Sequence, residues 1–155
     1  MLSQNILLAL KTFYQVIDGK NILWVLSGST SLVLQGVDVV INNDVDILTD
    51  AEGAKRTNIL LADWKIKESE YSATPKYRSY FGVYKFSDVN IEVMGEFQYR
   101  LKNGLWSKPN QTNKILIKEF QGMFLPVLTL EQELEEYDNI GRIGKVEKIR
   151  AALNR

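Results

Sequence analysis

The sequence predicts an α/β fold in which helices flank a mixed, mostly antiparallel sheet. Three observations lead there. Residues 2–18 and 129–153 carry apolar residues at three- and four-residue spacing, the mark of amphipathic helices. Between them lie short apolar runs of strand length, bounded by turn signals. Two of these runs, 78–86 and 89–95, straddle a Ser87-Asp88 turn and read as a hairpin.

Each element follows in order. Ile6, Leu7, Leu10, Phe13, Tyr14 and Ile17 make the apolar stripe of the first helix, with Ser3 as its cap and Gly19 as its end. The run 22–27 is a buried strand. A short helix over about 30–35 is stopped by Gly36. Residues 44–48 form the second core strand, with Val45 and Ile47 on one side and Asp44, Asp46 and Leu48 on the other. Asp50 caps a helix over roughly 51–62. Residues 65–70 alternate in polarity as a strand does, and the hairpin follows. In its second arm Val89, Ile91 and Val93 share one face, and Asn90, Glu92 and Met94 share the other. Residues 101–113, rich in Gly, Pro, Asn and Ser, read as a loop anchored by Trp106. A strand over 114–120 comes next, and Pro126 blocks helix after it. Thr129-Leu130-Glu131-Gln132 fits a capping box that opens a helix to Ile140, ended by Gly141. The last helix carries Val146, Ile149 and Leu153 on one stripe. Residues 1–155 read as one domain, with the C-terminal helices from about 129; no repeat or internal boundary is visible.

Composition excludes several chemistries. The chain has no Cys and no His, so thiol nucleophiles, imidazole bases and the usual zinc sites are out. Nineteen basic residues balance nineteen acidic ones, which leaves no strong nucleic-acid signal. Met1 is not followed by a basic stretch of signal-peptide type, and Ile6 to Leu10 is too short and broken to span a membrane. The expectation is a cytoplasmic protein with no membrane partner.

Two motifs carry chemistry together. Gly28-Ser29 directly follows an apolar run, so the turn into the next helix presents backbone N–H groups and a helix dipole that attract phosphate. It is not a P-loop, because no Gly-Lys-Ser/Thr follows. Asp44-Val45-Asp46 puts two carboxylates on one strand face, hard-oxygen ligands suited to Mg²⁺. An EF-hand is excluded, since Leu48 takes the third ligand position and the required Gly is missing. Taken singly, each motif is more readily structural than functional.

Their combination, GSTSLVLQG followed by NDVDILTD, resembles the polymerase-beta-like nucleotidyltransferase superfamily, in particular its minimal and antibiotic-modifying members. The pattern there is an apolar residue, Gly, then Gly or Ser, a helix, and two acidic residues alternating with apolar ones on the next strand. Residues 22–50 carry the strong match, and VNIEVMGEF and GRIGKVEKI extend it weakly. Ser31 departs from the Ala of many relatives but is still small. The resemblance implies the nucleotidyltransferase fold and transfer of a nucleoside monophosphate from an NTP, with ATP the expected donor, to a hydroxyl on a small molecule, protein or RNA. It implies one or two Mg²⁺ ions on Asp44, Asp46 and a third acid. Glu92 is the preferred third acid and the expected base, and Glu96 is its competitor. Gly28 and Ser29 would hold phosphate. Lys145 and Arg142 are basic residues of a late helix, placed as relatives place phosphate ligands and equally readable as a solvated helix face. Lys55 and Arg56 could reach phosphate but read better as surface residues. Tyr71, Tyr77, Tyr80 and Tyr84 line a cleft or pack as cross-strand pairs. The alternative from another class is an antitoxin-like protein of the same fold that binds or modifies a toxin-like partner.

Overall fold

The computed structural model describes residues 2–109 and 114–155. The elements run α1 (Gln4–Ile17), β1 (Trp24–Ser27), α2 (Gly28–Leu34), β2 (Asp44–Thr49), α3 (Ala51–Leu60), a 3-10 turn (Ala62–Trp64), β3 (Lys65–Ala73), β4 (Tyr77–Phe86), β5 (Val89–Tyr99), β6 (Ile115–Phe120), β7 (Met123–Leu128), α4 (Leu130–Ile140) and α5 (Ile143–Leu153). The strands make one seven-stranded sheet in the order β3-β4-β5-β2-β1-β7-β6. The pairs β2–β5 and β1–β7 are parallel and the other four are antiparallel.

The helix caps are the ones the sequence announces. Ser3 accepts from the Ile6 N–H, the Asp50 carboxylate from Gly53 N–H, and the Thr129 hydroxyl from Gln132 N–H. Gly141 ends α4 in the left-handed region.

Alternation in the central strands sorts the side chains into two cores. Val45, Ile47, Val89, Ile91 and Val93 face α1 and α3 and pack with Ile6, Leu10, Phe13, Ile17 and Leu61. Val25, Leu48, Phe97 and Tyr99 face the other way, toward Leu32 of α2, Tyr137 and Ile140 of α4, and Val146 and Ile149 of α5. Val93 and Phe97 have the same parity yet lie in opposite cores. The reason is a bulge: Arg78 pairs with Gln98 but Tyr80 with Gly95, and Glu96 takes φ +53°. Gly95 sits where α3 crosses, with no room for a Cβ against Ala54 and the Asp50 carbonyl.

Several elements differ from expectation. α2 begins at Gly28 itself and stops at Leu34. β3 runs on to Ala73, and β5 continues past Gly95 to Tyr99. β7 fills a stretch where Pro126 suggested only a helix block. The Thr129 N–H donates to the Lys114 carbonyl, which sets the phase of the β6–β7 ladder and turns the Pro126 nitrogen away from β6. Toward β1 the pairing is Leu26 with Val127, and the proline stands at the end of that short parallel ladder. The loop expected over 101–113 is pinned by Trp106, whose ring meets the Arg78 and Arg100 guanidiniums at 4.5 and 3.9 Å; residues 110–113 lie outside the described residues. The C-terminal helices pack on the sheet with α2. Among the described residues, no helix is long and apolar enough to cross a membrane.

Candidate active site

The acids come together because β2 and β5 pair in parallel with Asp46 opposite Glu92 and Asp44 opposite Asn90. Strand alternation points Asp46 and Glu92 to the α4 side, while their neighbours Val45, Ile47, Ile91 and Val93 go into the other core. Both acids are half-buried and Asp44 is exposed. The Asp46 carboxyl is pushed well above the usual carboxylate range by burial first, then by Glu92, Asp44 and Glu136. Burial also raises Glu92, with a contribution from Asp44, while a hydrogen bond from Asp46 works against it. Each acid of the pair is thus disfavoured as an anion beside the other.

Glu96 takes no part in this cluster. The bulge turns it to the α3 side, where its carboxylate accepts from the Ala51 N–H at 3.1 Å. Asp88 lies in the hairpin turn and accepts from Asn5. Of the four tyrosines, only Tyr77 lines the cavity beside the acids. Tyr84 is fully buried in the opposite core, and Tyr71 and Tyr80 pair edge-on across β3 and β4 at 5.5 Å. Arg56 donates to the Asn21 carbonyl, and Lys55 is exposed.

The Gly28 turn differs from the open cradle the sequence suggests. Its N–H is not free: it donates to Glu133 Oε1 at 2.7 Å. Gly28 adopts φ +69°, and a Cβ there would collide with Asp46 Oδ2, so only glycine fits between the turn and the acid. Ser29, the next residue, accepts a 2.6 Å bond from Lys145 Nζ. Lys145 and Arg142 both stand over the Tyr137 ring, at 5.5 and 5.7 Å. The late basic helix therefore reaches the glycine turn directly.

Two cavities meet at the acids. The larger, about 320 Å³, lies under β4, β5 and α4; its walls include Tyr77, Arg78, Phe97, Glu133 and Glu136. The smaller, about 160 Å³, is lined by Ser29, Asn42, Asp44 and Lys145. Asp46, Glu92, Tyr137 and Arg142 border both. Two functional candidates, Glu133 and Glu136, were not singled out in the sequence. Glu133 is 1% exposed, and burial, then Glu136, push its carboxyl well above the usual range. Glu136 is pushed up to about 7 by burial, with Arg142 opposing. The one sequence signal was their position on the inner side of a well-capped helix.

Among the described residues, no three acids converge as a ready-made metal cage. The donor set nonetheless suits a hard cation. Asp46 and Glu92 face each other, and each is disfavoured as an anion by burial and by acidic neighbours, which is the charge a divalent ion relieves.

Comparison with known proteins bears on the fold and the family. A solved structure from Thermotoga maritima, described as a candidate nucleotidyltransferase, is 35% identical; it covers 99% of this chain and 96% of its own, with a TM-score of 0.84. Two antibiotic-modifying enzymes share the fold at low identity. The lincosamide adenylyltransferase LnuA, bound to lincomycin, is 13% identical with a TM-score of 0.59, covering 97% of this chain and 98% of its own. ANT(2'')-Ia, in complex with adenylyl-2''-tobramycin, is 10% identical with a TM-score of 0.61, covering 94% and 88%. No curated protein sequence gives a significant match. The sequence pattern of one family, the aminoglycoside-2''-adenylyltransferases, accounts for residues 9–152. Matched by that pattern over almost its whole length, this chain belongs to the aminoglycoside-2''-adenylyltransferase family and is a nucleotidyltransferase.

Proposed function

We propose that the protein transfers AMP from ATP to a hydroxyl of a small cationic acceptor and releases pyrophosphate. The observation that supports this reading is the lining of the larger cavity. Asp46, Glu92, Glu133 and Glu136 face it, against Arg78 and Arg142. An acid-rich cavity of this kind favours ammonium groups over anions. The acceptor oxygen bonds to the α-phosphorus, the bond from that phosphorus to the pyrophosphate oxygen breaks, and Glu92 takes the hydroxyl proton. With no His in the chain, a carboxylate with a raised pKa is a suitable base near neutral pH. Ser29, Lys145 and Arg142, around the smaller cavity, receive the departing phosphates, and Gly28 gives the nucleotide close access to Asp46. One or two Mg²⁺ ions on Asp44, Asp46 and Glu92 would neutralise charge on the attacking and leaving oxygens.

A thermal-shift screen of the four NTPs, with and without Mg²⁺, tests nucleotide binding. Labelled ATP with pooled aminoglycosides, lincosamides and RNA then tests transfer. Stabilisation by ATP with Mg²⁺ and label on a cationic small molecule are expected. No stabilisation by any NTP, or label only on RNA or protein, overturns the reading.

A further inference from the structure

Glu133 sits where the fold can least easily accommodate a carboxylate. The parallel register of Leu26 with Val127 sets the start of α4 beside the end of β1. One turn into α4, the Glu133 N–H bonds the Thr129 carbonyl, and its side chain is directed under the Gly28 turn. There Oε1 accepts from Gly28 N–H, while Oε2 is buried with no partner. Burying a carboxylate is costly, and one backbone bond with an orphaned second oxygen offsets it poorly. An aliphatic residue would serve stability better. What the bond holds in place is therefore the relevant question. Gly28 lies directly against Asp46 Oδ2, and its neighbour Ser27 is the register partner of Asp46. Any shift of the Gly28 amide moves the surface on which the Asp46 carboxylate rests.

We propose that Glu133 is a positioning residue for the acidic centre: by gripping the Gly28 N–H it fixes the turn that orients Asp46 toward its cation. This rests on Asp46 being a cation ligand, as in the function proposed above.

The test is Mn²⁺ binding to the full chain, followed by paramagnetic resonance and calorimetry, so no acceptor is needed. Glu133→Gln keeps an oxygen of the right reach for Gly28 N–H and loses the charge; its affinity should stay within about threefold of wild type. Glu133→Asp keeps the charge and loses the reach, and should bind about 10–100-fold more weakly, as when an outer partner of a metal ligand is removed. Glu133→Ala should match Glu133→Asp. Leu10→Ala, in the opposite core, should melt lower yet bind Mn²⁺ as wild type does. The proposal is overturned if Glu133→Asp and Glu133→Ala bind like wild type, or if Glu133→Gln is as weak as they are. Absence of Mn²⁺ binding by the wild type, with or without ATP, overturns the cation-ligand reading itself and the proposal with it.

Discussion

On one face of the sheet, β2 and β5 present Val45, Ile47, Ile91 and Val93, each at most 2% exposed. On the other face the intervening residues of the same strands are Asp46 and Glu92, beside the buried Glu133 and half-buried Glu136 of α4. The dry face is made of groups that gain from leaving water. The acids of the other face are groups that lose by it, and burial raises the Asp46, Glu92, Glu133 and Glu136 carboxyls. Both faces carry an apolar core, but only the second also stores unfavourable charge that a cationic ligand can relieve. Substitutions on the two faces should have opposite signatures, function against stability.

The largest effect is expected on the acidic face. Glu92→Gln should reduce nucleotide transfer by a factor of about 100 or more, in line with loss of a general base, while ATP still binds. Glu96→Gln, on the other side of the bulge, should keep most of the activity. Loss of transfer in the Glu96 variant alone would reverse the assignment. The pair Asp44→Asn with Asp46→Asn should remove Mg²⁺-dependent ATP binding by calorimetry, and without metal it should melt no lower than wild type, because it relieves like-charge crowding.

On the dry face, Ile91→Ala should cost about 2–5 kcal/mol of unfolding free energy in urea, the usual range for a buried Ile truncated to Ala. The ATP affinity of the folded fraction should be retained. A stability change near zero there would break the contrast between the faces.

Gly28→Val tests the contact between turn and acid. Its side chain would meet Asp46 and is strained at a positive φ, so ATP affinity should fall and the protein should melt lower. Ser29→Ala, which removes one hydroxyl, should be milder. Equal and negligible effects of both on ATP binding would remove the turn from the site.

The smallest effect is that of pH. Burial raises Glu136 from 4.5 to about 7, so the folded state favours its protonated form. Its stabilising contribution is full below about 4.5 and is lost as pH rises through about 7. Without ligand, stability should therefore decline between pH 5 and 8, and Glu136→Gln should flatten the decline by about 1–3 kcal/mol. Asp46 and Glu133 shift in the same direction, so some slope will remain. A rise in stability over that range would contradict the sign.

What could be read from the chain were features carried by neighbours in sequence. Ser3, Asp50 and Thr129 announced their helices because a cap and its N–H lie within three residues. The alternation of Val89, Ile91 and Val93 against Glu92 gave the inner face of β5 for the same reason. The features that escaped depend on distant partners or on one residue's dihedral angle. Glu133 and its Gly28 partner are 105 positions apart, and in sequence Glu133 is one more acid on a polar helix. Tyr84 resembles Tyr77 until the sheet assigns them to opposite faces. Period-two counting put Glu96 with Glu92, and it failed because an αL residue at the bulge resets the count. Pro126 suggested a break because its nitrogen's direction is fixed only by the β6 pairing.

The parallel pairing of β2 with β5 also imposes an order in time. Parallel neighbours need a crossover, and here it contains α3, β3 and β4. During synthesis Asp44 and Asp46 emerge well before Glu92, and Glu133 follows later still on α4. Closing such long loops is slow compared with forming a helix or a hairpin. A nascent or truncated chain that ends before β5 has two aspartates on a strand and nothing opposite them. The set of Asp46, Glu92, Glu133 and Glu136 is complete only in a chain made through α4, so the transfer proposed above requires the polypeptide to be made that far.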